Sequence, residues 1–196
     1  QRKFTVTTRT DKRKHQAPRV HMINLTNGRG QLGNALAKII ENIEPPVWGN
    51  GLHSSKKQVH IYHTWNIDDK SEEVQAQCFQ ELMSFTNRHL KDRVVFISTM
   101  SQKESYYVKY KHLAEAHVLS HCEDSVVVRL PTIIGKGTVE KLKTKEIVPY
   151  GTMEIMSIEE ACHQILRCVS YKGLLKIVSL DGEKIRAKTV QQILLA

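Results

Sequence analysis

The chain has no CxxC pair, no apolar run close to the roughly 20 residues needed to span a bilayer, and no internal repeat. Residues 1–40 hold a single acid, Asp11. Each absence excludes something. Cys78, Cys122, Cys162 and Cys168 stand far apart and without metal-type spacing to any histidine, so they read as reduced thiols of an intracellular protein. The compartment expected is the cytoplasm. The alternative is an organelle matrix, because the basic, acid-poor first segment starts at Gln1 and reads as a processed or trimmed start. The 10 histidines are scattered, and the close pairs His60 with His63 and His117 with His121 lack a third ligand nearby, so no metal site is expected. Phe4 is the sole aromatic residue before Trp48, which leaves the leader without a stacking platform for bases.

What is present is positive charge, placed unevenly. The formal charge is +9, and residues 1–40 carry nine Lys or Arg against Asp11. Such a leader is a solvated tail, or meets an acidic partner subunit, or contacts nucleic acid nonspecifically through residues 1–19 with a steep salt dependence. Behind it, 196 residues with 40% apolar content suffice for one core.

Short β-branched runs alternate with helical patterns, the rhythm of a parallel sheet with crossover helices. Strands are expected at Arg19 to Leu25, Gln58 to His63, Arg93 to Ser98, Ser125 to Leu130 and Leu175 to Ser179, with a sixth at Phe4 to Thr8. A helix over Ser71 to Leu90 puts Val74, Cys78 and Leu82 on one stripe, with Glu72 and Glu73 in its first turn. Capping boxes at Ser101/Glu104, Ser157/Glu160 and Thr189/Gln192 predict three more helix starts. Pro45, Pro46, Gly49 and Gly51 mark a long loop.

Two stretches carry chemistry. In "TNGRGQLGNALAKII" a strand gives way to glycines and then to a helix. There Gly28 or Asn27 suits a tight turn, Gly30 a close approach of pyrophosphate to the main chain, and Gly33 close packing of helix on strand. In "VVFISTMSQKESYYVKYKHLAEAHVL" a strand ends at Ser98-Thr99, and a helix then presents Tyr107 and Lys111 on one face. An ammonium beside a phenol favours its ionised form, while a hydroxyl at the strand end orients a substrate oxygen.

In the order of these motifs the sequence resembles the short-chain dehydrogenase/reductase superfamily, in its extended and atypical branches related to NAD-dependent epimerases and dehydratases that act on nucleotide sugars. The family's TGxxGxxG is matched by Thr26, Asn27, Gly28, Arg29, Gly30, Gln31, Leu32 and Gly33, with Asn27 in place of the first glycine. Thr99 looks like its catalytic Ser or Thr, Tyr107 and Lys111 like its YxxxK, and Glu115 like the glutamate that often follows. Arg129, Pro131 and Gly135 match the strand and turn near the nicotinamide, and Glu160 stands where an acid is usual. The resemblance implies a Rossmann-like α/β fold with a parallel sheet, helices on both faces and a reduced strand number. Charge and length give a basic leader over 1–17 and a single domain over 18–196, and measured against the family its substrate-binding portion, at about 138–196, is truncated. Tyr107 would be the general acid/base, Lys111 would lower its pKa and hold the nicotinamide ribose, and Thr99 would orient the substrate. Cofactor contacts would fall on residues 26–33, Lys111 and Pro131.

NADP or NAD is the implied cofactor, with Arg29 and the basic leader suiting the 2′-phosphate of NADP. The chain departs from the pattern at Asn27, in the short stretch between Gly33 and Ser98, and in the short remainder after Gly137. Two functions follow: an NAD(P)-dependent oxidoreductase or epimerase for a nucleotide sugar or other carbonyl or hydroxyl substrate, or a catalytically degenerate relative, with or without cofactor, serving as a subunit of a larger assembly. Two registers also stay open. Either "RVHMINL" is the family's first strand, or "FTVTT" and "RVHMINL" are its second and third.

Overall fold

The computed structural model describes residues 23–26, 30–42, 58–135, 137–170, 173 and 176–195. The leader, the expected strand at 4–8, the loop at Pro45 to Gly51, and Asn27, Gly28 and Arg29 lie outside them. Along the chain run β1 (Ile23–Leu25), α1 (Gln31–Asn42), β2 (Val59–Tyr62), α2 (Glu72–Arg88), β3 (Arg93–Thr99), α3 (Tyr106–His121) and β4 (Asp124–Leu130). They are followed by β5 (Thr132–Ile133), α4 (Thr138–Lys143), β6 (Thr152–Met156), α5 (Ile158–Val169), β7 (Ile177–Ser179), β8 (Glu183–Arg186) and α6 (Ala187–Leu195).

β2, β3 and β4 are nearly continuous apolar runs, which a strand tolerates only when both faces are covered. They form the centre of a parallel sheet in the order β1-β2-β3-β4-β7. The pleat sends alternate residues to opposite layers. Val59, Ile61, Val95, Ile97, Val126 and Val128 pack on one face against Leu36 of α1 and Ala161, Cys162 and Ile165 of α5. Tyr62, Val94, Phe96 and Val127 pack on the other against Leu82 of α2 and Ala114 and Val118 of α3. Each fully buried side chain of this size contributes about 1.5–3 kcal/mol, so the two cores hold the three layers together. This is the Rossmann-like α/β architecture expected.

β1 pairs directly with β2, Ile23 opposite Val59. That adjacency is the one required if "RVHMINL" is the first strand of the fold, and the second register does not supply it. Pro131 then ends β4, because it has no N–H to continue the ladder. Beyond it the chain enters a smaller sheet, β5-β6-β8, in which β6 runs parallel to β5 and antiparallel to β8. Gly182 lets the two sheets approach: a Cβ there would lie 2.6 Å from the Ile155 carbonyl oxygen and 3.1 Å from the Pro131 ring.

The helix starts need two corrections. α3 begins after Ser105, whose hydroxyl accepts the Val108 N–H, whereas the Ser101 hydroxyl accepts from Lys103 N–H in the preceding turn. α6 begins at Ala187, which places Thr189 inside its first turn. Ser157 caps α5 through Glu160 N–H as expected. Ser71 stands at the N-cap of α2.

Candidate functional site

In an open parallel α/β sheet, ligands collect at the carboxyl ends of the strands. Most of the residues expected to carry chemistry lie on this edge. Thr26, just past β1, receives the His63 N–H at 3.2 Å and the Thr64 hydroxyl at 2.9 Å, and its own N–H donates to the Ile61 carbonyl. It therefore clasps the ends of β1 and β2. Thr99 ends β3, and its hydroxyl accepts from Ser101 N–H at 3.1 Å. The cap at Ser105 sets the first turn of α3 so that Tyr107 is half-buried and hydrogen-bonded to the Thr99 side chain. Burial raises the Tyr107 phenol above its ordinary value, and the Thr99 bond works against that rise.

Lys111 and Tyr107 share a helix face, yet each has a different partner. The Lys111 ammonium donates to the Ile97 carbonyl at 2.7 Å and lies 4.3 Å from the Trp65 ring centroid and 4.8 Å from that of Phe96. The residue is 4% exposed. Burial pushes its amine down to about 7, with the Cys78 thiol and Glu115 carboxylate opposing the shift. Trp65 is fixed over it by an indole N–H to Gln75 Oε1 bond of 2.7 Å, and Gln75, fully buried, returns its amide to the Asn66 carbonyl. Spacing identified the lysine; nothing in the sequence marked Trp65 or Gln75 as its cover.

One turn further along α3, Glu115 is also buried. It accepts the Ser98 hydroxyl at 2.5 Å and both arms of Arg129, Nε at 2.9 Å and Nη2 at 2.6 Å. A buried carboxylate needs such a set of donors, and the two-pronged guanidinium is the strongest available. Glu115 and Arg129, which the motif order singled out, thus join α3, β3 and β4 beneath the Thr99 end.

Of the expected cofactor contacts, Gly30 is exposed with open space where a Cβ would stand, and Gly33 is buried in α1. Leu32 packs into the core, and Pro131 is buried against Gly182. Gln31 crosses to the opposite loop, where its amide donates to the Ile134 carbonyl at 2.9 Å. Gly135 accommodates it: its φ is +138°, and a Cβ there would come within 2.0 Å of Gln31 Nε2. Beside this contact an open cleft of about 680 Å³ is walled by Asn34, Lys38, Val139, Lys143 and Leu194; Thr99, Tyr107 and Lys111 are not among its walls.

Sheet order, helix layers and a motif-bearing carboxyl edge together define a Rossmann-like α/β protein. Solved structures show the same architecture. The chain is similar to the enzyme WbmG of Bordetella bronchiseptica, solved with NAD and UDP, at 14% identity and a TM-score of 0.65 over 91% of this chain and 79% of that one. It is similar to the UDP-N-acetylglucosamine 4-epimerase of Bacillus cereus at 12% identity and a TM-score of 0.63, over 88% of this chain and 84% of that one. A third is the dTDP-4-dehydrorhamnose reductase of Clostridium acetobutylicum, at 15% identity and a TM-score of 0.64 over 88% of this chain and 79% of that one. At these identities the likeness is one of fold. No family model matches the sequence, and none of the curated proteins compared with it does.

The described residues suit a dinucleotide at one end only. The N-terminus of α1 has no acid in its first turn and is open at Gly30, as a phosphate requires. At the other end the ammonium expected to hold the ribose is committed to Ile97 and covered by Trp65, and this does not fit.

Proposed function

We propose that this protein uses the fold of nucleotide-sugar epimerases and reductases without their hydride chemistry, as a binding or structural subunit of a larger assembly. The observation that carries this reading is the position of Lys111. An amine bonded to a main-chain carbonyl beneath an indole neither lowers the pKa of Tyr107 nor reaches a ligand, and the phenol rises instead of falling. A general acid/base works best with a pKa near the ambient pH, which this phenol lacks.

A second reading rests on the Thr99–Tyr107 hydrogen bond at the carboxyl end of β3. In it the protein is an NAD(P)-dependent reductase or epimerase in which Tyr107 moves a proton at the substrate oxygen that Thr99 orients. Arg29 and the basic leader favour NADP over NAD in that case.

Fluorescence titration with NADH and NADPH, together with turnover assays on UDP- and dTDP-sugars, separates the two. The first reading expects no turnover and no change on Tyr107→Phe. Turnover by the natural chain that Tyr107→Phe abolishes would establish the second.

A further inference from the structure

At the opposite, amino edge of the main sheet, three side chains with no part in the site above converge. His60 lies near the start of β2, His89 closes α2, and Asp92 immediately precedes β3. They meet because β2 and β3 are parallel neighbours, with Val59 opposite Arg93, and α2 ends directly before the turn into β3. Asp92 Oδ2 is 3.1 Å from His60 Nε2 and 3.0 Å from His89 Nδ1, and the three ligand atoms lie within 4.8 Å of one another.

Donors about 2.0–2.1 Å from a tetrahedral ion are about 3.3 Å apart, so two of the three edges already stand near coordination length. The rings are also held. Phe85 meets His60 edge-on with ring centroids 5.6 Å apart and His89 at a tilt with centroids 4.6 Å apart, and the centroids of the two imidazoles lie 3.9 Å apart. The second carboxylate oxygen, Oδ1, accepts the Gln58 N–H at 3.4 Å, which leaves Oδ2 turned toward the imidazoles. The His60 side chain is 7% exposed, against 26% for His89 and 27% for Asp92. The cluster is therefore closed behind and open in front, where a water could complete the coordination.

We propose that His60 Nε2, His89 Nδ1 and Asp92 Oδ2 form a binding site for one zinc ion, with its fourth position facing solvent. Two imidazoles and one carboxylate are a borderline donor set, which suits zinc better than magnesium or calcium, ions that prefer all-oxygen shells. Bound there, the ion would clip the end of α2 to β2 and β3. A hydrogen-bonded trio without metal would also give the two short contacts, and experiment separates the cases.

The test is titration of the full, EDTA-treated chain with zinc, followed by calorimetry and by competition with a chromophoric chelator. One ion per chain is expected. Affinity should fall about tenfold or more in His89→Ala and in Asp92→Asn, whose side chains are partly exposed, and stay unchanged in His163→Ala on α5. Because His60 is buried, its part is read in the natural protein, where one equivalent of zinc should shift the imidazole ¹⁵N resonances of His60 and His89 and leave those of His117 and His121 in place. Absence of binding in excess zinc, affinity unchanged in His89→Ala, or shifts at His117 and His121 instead would each overturn the proposal.

Discussion

At the carboxyl edge of the main sheet the charged atoms turn inward, Lys111 to the Ile97 carbonyl and Glu115 to Ser98 and Arg129. At the amino edge the atoms of His60, His89 and Asp92 converge on a shared point with one side open. The first edge has the residue types of a catalytic site, but its ammonium is bound up in structure. No metal site was expected at the second, yet its donors are arranged like ligands. Chemistry depends on where the atoms point, and motif order reports only which residues are near. Lys111 and Glu115 fall on the buried stripe of α3 with Val108 and Val118, where helical periodicity calls for apolar side chains. Charges there have to be satisfied by neighbours, and so they are drawn into the fold.

The largest effect that would sharpen this contrast is on stability. Glu115→Ala leaves the Arg129 guanidinium and the Ser98 hydroxyl without their acceptor and removes a carboxylate that favours the charged form of Lys111. Loss of one partner of a buried ion pair costs about 3–5 kcal/mol; the Arg129 side chain, 32% exposed, recovers some hydration, so the lower end is expected. Asp92→Asn in metal-free protein, with a partly exposed carboxylate, should cost no more than about 1 kcal/mol. Urea denaturation of the two variants side by side would break the comparison if their losses were equal.

Next in size is a pH dependence belonging to Lys111. Its folded pKa of about 7 lies below the ordinary 10.5, so between those values the unfolded chain binds a proton that the folded chain does not. Stability therefore rises with pH above about 7, by about 1.4 kcal/mol per unit at most, or about 2–3 kcal/mol by pH 9. The lowered His63 and His117 also make stability rise with pH, but below their ordinary 6.5. The raised Cys122 and Cys162 thiols, each pushed by burial to about 11, act in the opposite sense once pH passes their ordinary 9.0. The window from pH 7 to 9 thus belongs mainly to Lys111. Lys111→Met should flatten denaturation midpoints across it, and a slope that survives would mean that the amine is not the group responsible.

The layered fold was legible in the sequence because its signal is repetitive: β3 and β4 announce themselves by consecutive β-branched residues and β2 by Val59 and Ile61, while α2 shows an apolar stripe and α5 a capping box. The second sheet was not, since β5 is two residues long, β6 is partly buried along most of its length without a clean alternation, and β8 is mostly exposed, leaving little patterning to read. At the site, Thr99 and Tyr107 were readable from spacing, as was the shared helix face of Tyr107 and Lys111. Trp65 comes from the loop after a different strand, and only tertiary packing brings it over Lys111. His60, His89 and Asp92 were hidden likewise: His-x-x-Asp at 89–92 is an unremarkable turn until β2 lays His60 beside it.

The smallest effect bears on how the phenol is held at the carboxyl edge. Ser105 matches no position of the motifs read in the sequence, yet its hydroxyl accepts the Val108 N–H at 3.3 Å and so fixes the first turn of α3, on which Tyr107 sits. Removing such a cap costs about 1 kcal/mol. Ser105→Ala should therefore lower stability by about that amount and loosen the Thr99–Tyr107 bond, visible as a downfield-to-upfield shift of the Tyr107 hydroxyl or as altered near-ultraviolet absorbance of the phenol on alkaline titration. Ser101→Ala, at the position where the capping box was expected, removes only a turn contact to Lys103 N–H at 3.4 Å and should leave both stability and phenol unchanged. If the two variants behaved in reverse, α3 would begin a turn earlier than the structure has it. Tyr107 would then lie deeper within the helix, and the contrast between an inward-turned carboxyl edge and an open amino edge would lose the residue that anchors its first half.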